Sequence, residues 1–333
     1  MNESESSPKK KTGWVWAKRI LTLACFIAVP ALLFMLIKNL DWQEVKHALT
    51  SYKISTLVIA GAITLVSYGV FSSYDLLSRR YTGHHVPKRQ VMPLAFVCYA
   101  FNLNLSSWVG GIALRYRLYS KLGLDVPTIT RILSLGLVTN WLGYLFIGGA
   151  VFAMGLPALP DSVKIGATGL RLIGLGMILA GLGYLAACRF AKRRAWQIKG
   201  YEITLPRFRL ALLQAALGAT NWALMGAIIF VLLPAKAGYA TILAILLISS
   251  IAGVITHIPA GLGVLETIFI TLLQDEYSKG TLLAALIAYR ALYFLMPLAI
   301  ACVVYLILER RTSKAAPDAT NPAKPEQRYG RTG

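Results

Sequence analysis

Of 333 residues, 56% are hydrophobic and only 14% charged, with a formal net charge of +20; soluble domains carry roughly a quarter charged residues. An ordinary soluble domain is thereby excluded. No aromatic-rich basic region or nucleic-acid module accompanies the charge, so it reads as the Lys and Arg excess of cytoplasmic loops facing anionic lipid, not as a nucleic-acid surface.

In chain order, residues 1–13 are rich in Ser, Glu and Lys and read as a disordered tail. The run Ile20–Ile37 follows Lys18-Arg19 with no small-residue cleavage site after it, as in an uncleaved signal anchor. Leu57–Leu77 is the next apolar run, and Asp75 near its end is expected to pair with Arg79 or Arg80. Val91–Gly123 is broken in the middle. Its first arm, Val91–Leu105, is about 22 Å at ~1.5 Å per residue, too short for a ~30 Å hydrocarbon core. Its second arm carries Arg115, Arg117 and Lys121 and does not suit a lipid-facing span. Ile132–Met154, Leu170–Cys188 and Leu210–Leu233 are full-length runs. Thr241–Leu273 is again broken, at His257-Ile-Pro-Ala-Gly-Leu-Gly263, and Leu282–Leu308 is the last run before a Pro-, Ala- and Lys-rich tail at 313–333.

The basic residues gather before the first run, in Arg79–Arg89, Arg115–Arg131 and Arg189–Arg209, and after the last run. These fall on one side of the membrane only if Val91–Gly123 enters and leaves by the same face. The predicted fold is therefore an all-α polytopic membrane protein. It has six full transmembrane helices plus two re-entrant helical hairpins dipping from opposite faces, within residues 14–312 and with both termini cytoplasmic.

The two breaks resemble each other. Trp108-Val-Gly-Gly-Ile-Ala-Leu-Arg115 lies over Pro259-Ala-Gly-Leu-Gly-Val-Leu-Glu266 at a constant offset of 151, with Gly110 over Gly261 and Arg115 opposite Glu266. The flanking runs match too, so residues 57–154 and 210–308 read as an inverted-topology repeat, a plan common among secondary transporters. A hairpin broken near mid-depth leaves helix N-termini inside the membrane, where unpaired N–H groups attract anions. Candidate substrate-binding residues follow from that placement. Asn102, Asn104, Ser107, Gly110, Gly111 and Arg115 surround the first break; His257, Pro259, Gly261, Gly263 and Glu266 surround the second. Arg115 near a helix N-terminus calls for a bound anion or for Glu266. Arg290 interrupts an apolar span, where a charge costs about 2.5–3.5 kcal/mol on insertion scales, and Glu266 is its expected partner. That pair reads equally as a structural ion pair or as part of a substrate or proton path. Thr-Asn-Trp occurs at 139–141 and at 220–222, and interhelical hydrogen bonding is the expected role of both asparagines.

Cys25, Cys98, Cys188 and Cys302 lie far apart without CxxC spacing, so neither a disulfide framework nor a zinc site is indicated. There is no nucleophile elbow, paired metal-ligand histidines, Walker loop or aspartate-rich pyrophosphate motif. No enzyme, cofactor or metal is expected, and transport would proceed without ATP hydrolysis on this chain.

Pro259-Ala-Gly-Leu-Gly-Val-Leu-Glu266, Gly110-Gly-Ile-Ala-Leu-Arg115, Tyr289-Arg290 and Tyr99-Ala-Phe-Asn-Leu with Ser107-Trp-Val-Gly-Gly resemble the lysylphosphatidylglycerol synthase transmembrane-region family, from about Trp14 to Arg311. The resemblance is closest to its stand-alone branch of bacterial inner-membrane proteins. In the fusion members the membrane region is regarded as a flippase for aminoacylated phosphatidylglycerol, and a separate soluble domain performs the aminoacylation. That synthase domain is not expected here. The resemblance implies translocation of an anionic phospholipid or a polyprenyl-phosphate-linked lipid, with membrane lipids as partners. A homo-oligomer or a lipid-synthesis enzyme is a further expected partner. A non-transporting scaffold or regulator of such an enzyme, an intramembrane transferase on a lipid carrier, and a soluble-anion transporter stand as alternatives.

Overall fold

The computed structural model describes residues 42–104, 111–156, 166–198, 201–256 and 261–314. The expected span Ile20–Ile37, the N-terminal tail, most of the C-terminal tail, and the candidate residues Ser107, Gly110, His257 and Pro259 lie outside the described residues. The helices are α1 (Trp42–Thr50), α2 (Ile54–Thr82), α3 (Lys88–Asn104), α4 (Leu114–Lys121), α5 (Val126–Ala153) and α6 (Gly166–Phe190). They continue with α7 (Phe208–Leu232), α8 (Tyr239–Thr256), α9 (Val264–Leu273), α10 (Lys279–Arg290), a π turn over Ala291–Leu295, and α11 (Met296–Lys314).

Among the described residues, six helical stretches are long and apolar enough to cross a membrane: α2, α5, α6, α7, α8 and the continuous run Lys279–Leu308. Five coincide with expected runs. The sixth, α8, is the first arm of the second broken stretch, and its 18 residues reach about 27 Å at ~1.5 Å each. The matching arm of the first stretch, α3, has 17 residues and opens on Lys88-Arg89-Gln90. The expectation of an all-α chain is amended by one small hairpin, β1 (Ala195–Ile198) with β2 (Tyr201–Thr204), paired antiparallel with Ala195 opposite Thr204. It occupies the most basic loop, and the Tyr81 hydroxyl at the end of α2 donates to the Thr204 carbonyl at 2.5 Å.

Leu172, Ile173, Leu175, Leu179 and Leu182 of α6 are exposed, an apolar face of the kind that marks a membrane surface. Inside the bundle, helices are brought together by small residues. α2, α5 and α7 pack on one another, and α5 crosses α7 where Gly143 meets Gly218. A Cβ on Gly143 would stand 2.0 Å from the Gly218 carbonyl carbon, so only glycine allows this backbone approach, as at many intramembrane helix crossings. On α2 the buried positions Ala60, Thr64, Ser67, Tyr68, Ser72, Asp75 and Ser78 recur at helical spacing. That inward face is polar, and Thr64 and Ser78 turn their hydroxyls back to the carbonyls four residues earlier.

The π turn has a sequence cause. Pro297 lacks an N–H and its ring crowds the carbonyl four residues back, that of Tyr293; such defects widen or kink a helix. The carbonyls left over are met from other helices. Tyr68 Oη donates to the Tyr293 carbonyl at 2.9 Å and Asn104 Nδ2 to the Phe294 carbonyl at 3.2 Å. Tyr68→Phe removes the first donor while keeping the ring, and is expected to lower stability by about 1–3 kcal/mol, the cost of an unsatisfied buried polar group. Thermal unfolding in detergent checks it.

Candidate functional site

A cavity of about 390 Å3 opens between α2, α3, α5 and α7 beside the start of α4, within the ~300–1,000 Å3 of small-molecule pockets. Its polar end carries Asp75, Arg115, Tyr74 and Asn102, and its remaining walls are largely apolar and aromatic, including Phe71, Tyr99 and Trp222, with Asn140 beside Trp222. Two of its α5 positions, Ser134 and Leu137, are exposed, Leu137 at 61% near the middle of that helix. The cavity thus reaches the bundle surface at mid-span.

Asp75 was expected to pair with its helical neighbours. Arg115 holds it instead, with Nη2 3.0 Å from Oδ1 and side chains only 9% and 1% exposed. Tyr119 Oη donates to the other carboxylate oxygen at 2.7 Å. The physical reason is the direction of the helix face. Asp75 lies on the buried stripe of α2, whereas Arg79 is turned to the loop, where its Nε donates to the Val86 carbonyl at 2.7 Å, and Arg80 is exposed. Neither Glu266 nor an anion is needed to neutralise Arg115. Two donors at this end are left over: Arg115 Nε and the Tyr74 hydroxyl are buried without hydrogen-bond partners. Such groups are rare in native proteins, and both belong to residues that line the cavity. Asn102 sits against Gly111, its Oδ1 2.3 Å from where a Gly111 Cβ would stand, so any side chain there would displace the Asn102 amide.

The second cluster matches expectation. Arg290 Nε and Nη2 grip Glu266 at 2.6 and 3.1 Å, and Nη2 also donates to the Gly261 carbonyl at 3.2 Å. Glu266 in turn accepts the Gly263 N–H at 2.9 Å, capping α9. Gly261 and Gly263 have φ of 57° and 81°, left-handed values that favour glycine. The bidentate pair therefore locks the second break to the span carrying Arg290. Glu266→Ala removes the cap and strands Arg290, and is expected to cost about 1.5–3 kcal/mol, typical of hydrogen bonds to charged groups. Glu266→Gln, which keeps an acceptor for Gly263, should cost less. Chemical or thermal unfolding of both variants ranks them.

The candidate residues thus fall into two groups. Asn102, Gly111 and Arg115 meet at the cavity; Gly261, Gly263, Glu266 and Arg290 meet at the second break and do not line it. Asn104 belongs to neither and bridges α3 to the π turn. From the cavity residue Tyr99 runs a buried chain, Tyr99 Oη to Tyr293 Oη at 2.8 Å, to Ser67 Oγ at 3.2 Å, to Asn221 Oδ1 at 2.8 Å. The interhelical role expected of Asn221 is met there. Asn140, which lines the cavity, accepts Trp222 Nε1 at its backbone carbonyl, at 3.2 Å. Tyr74, Tyr119 and the aromatic walls were not foreseen.

The family model described as lysylphosphatidylglycerol synthase TM region matches residues 20–301. "Inner membrane protein YbhN" of Escherichia coli (strain K12) is 50% identical over 312 residues, which is 93% of this chain and 97% of that protein. "Uncharacterized protein slr0712" of Synechocystis sp. is 30% identical over 290 residues, 81% of this chain and 87% of that protein. With its membrane-spanning helices and a match across most of its length, the chain belongs to the lysylphosphatidylglycerol synthase transmembrane-region family and is a polytopic membrane protein.

Proposed function

We propose that the protein is an inner-membrane lipid translocase that passes an anionic phospholipid between leaflets through the Arg115 cavity. The observation that carries this reading is the cavity itself: a polar end with unused buried donors, apolar walls, and a flank that reaches the surface at the middle of a span. A headgroup phosphate fits the polar end while acyl chains remain outside in lipid. The volume of about 390 Å3 favours a headgroup of phosphoglycerol size over a polyprenyl carrier loaded with a large glycan. The family and its inner-membrane relative support the lipid setting.

In this reading residues 14–312 form the transporter unit, the termini are cytoplasmic, and α3–α4 and α8–α9 are re-entrant hairpins of inverted repeats 57–154 and 210–308. The packing supports the repeat: α2 lies against its counterpart α7, and α3 on α11 mirrors α8 on α5. Arg115 holds the phosphate, and the Glu266–Arg290 clamp fixes the second hairpin against which the first moves. No step of it requires catalysis or a cofactor. Reconstitution in liposomes with headgroup-labelled anionic phospholipids tests it. Leaflet exchange should exceed that of protein-free vesicles and fall to their level in Arg115→Ala. Exchange no faster than in empty vesicles across several anionic lipids would overturn the reading, and would favour a scaffold role.

A further inference from the structure

Every element around Asp75 contributes to an electrically closed site. From α4 come the Arg115 guanidinium and the Tyr119 hydroxyl. From α3 comes the buried Cys98 thiol, from the turn after α2 the buried His84, and from α2 itself Arg79. The cavity walls from α5 and α7, Leu133, Ser134, Gly136, Leu137, Asn140, Trp222 and Met225, hold no titratable group. Arg79 is turned to the loop, held by the Val86 carbonyl, so the charges inside the site are one carboxylate, 1% exposed, and one guanidinium, 9% exposed, which cancel.

That balance constrains any anion that enters. A phosphodiester that draws Arg115 to itself leaves Asp75 buried and uncompensated, an arrangement low-dielectric interiors strongly disfavour. A proton on Asp75 removes the conflict: the site then holds a neutral carboxyl, one guanidinium and one phosphate anion, and its net charge is again zero. The protonated carboxyl still offers an oxygen to Tyr119. The unpartnered Arg115 Nε gives the incoming oxygen a donor before the ion pair has opened.

We propose that the cavity binds a phosphodiester anion together with one proton, the phosphate taking Arg115 and the proton, drawn from water, taking Asp75. This rests on the phospholipid reading of the cavity and adds to it the coupling ion. Transport would then be anion–proton symport with no net charge moved per lipid, so a pH gradient drives it and a membrane potential alone does not. Over the range in which one proton accompanies each anion, affinity falls about tenfold per unit of rising pH.

Calorimetric titration of the full-length protein in detergent with dioctanoyl-phosphatidylglycerol tests this. The titration is repeated in buffers of different ionisation enthalpy, which reports protons taken up, and between pH 6 and 8. Glycerophosphoglycerol, the same phosphodiester without chains, keeps its single charge across that range and separates lipid from free anion. The expected result is about one proton per bound lipid in the wild type. Asp75→Asn, with a permanently neutral side chain, should bind without proton uptake and with affinity changing less than twofold per pH unit. Lipid binding by the wild type without proton uptake would overturn the coupling and leave the lipid site standing. Proton-linked binding of glycerophosphoglycerol but not of the lipid would uphold the coupling and overturn the lipid. No binding of either ligand by the wild type would overturn both. The wild-type proton count decides the matter even if Asp75→Asn does not fold.

Discussion

Asp75→Ala is expected to lower the unfolding free energy by about 3–5 kcal/mol, because it leaves Arg115 as an uncompensated buried charge. Arg115→Ala, which strands Asp75 instead, should cost a similar amount. The pair is nearly sealed, with side chains 1% and 9% exposed, so solvent screening does little to soften either loss. A variant carrying both Asp75→Asn and Arg115→Gln removes both charges at once and should recover most of the lost stability. It should not recover lipid exchange, since no guanidinium remains for the phosphate. Denaturant or thermal unfolding of the three variants, with exchange measured beside it, separates the structural role of the pair from its role in binding. Additive small losses of less than about 1 kcal/mol per single variant would contradict a buried pair.

Gly218→Leu is expected to be strongly damaging. A Cβ at that position stands 2.3 Å from the Thr139 carbonyl oxygen and 2.8 Å from Gly143 Cα, so α5 and α7 must separate for any side chain to fit. Overpacking of a well-packed interior costs about 1–3 kcal/mol, and here the obstacle is backbone that cannot adopt another rotamer. Gly183 on α6 is the control, since nothing lies within 4 Å of a Cβ built there. Gly183→Ala should be neutral or stabilising, helix interiors favouring alanine over glycine by up to about 1 kcal/mol. Melting temperatures of the two variants in the same detergent make the comparison. Similar behaviour of both would mean the crossing is not as close as described.

The spans could be read from the chain because hydrocarbon demands long apolar runs, and Glu266–Arg290 because an arginine in such a run demands a partner. Asp75 pairs with Arg115 and not with its helical neighbours. Arg79 and Arg80 are its nearest cations along the helix, but sequence spacing does not reveal that Asp75 shares the inward stripe of Ser67, Ser72 and Ser78. Its partner comes from a helix 40 residues on. Tyr119 was invisible in the same way, since a tyrosine carries no charge to place it. Pro297 could have signalled the π turn, as Tyr293 four residues earlier is the carbonyl it orphans. The cavity could not be read at all, because it is the space between four helices. The short β hairpin was hidden by the basic residues that make its segment read as a plain cytoplasmic loop.

The central claim is that Arg115 holds the phosphate of an anionic phospholipid inside the bundle. Lipid mass spectrometry on protein purified in mild detergent tests it most directly, wild type against Arg115→Lys and Arg115→Ala. The account predicts about one anionic phospholipid per chain in the wild type, enriched over the bulk membrane, weakened in Arg115→Lys and lost in Arg115→Ala. Co-purified lipid of bulk composition in all three proteins would contradict it.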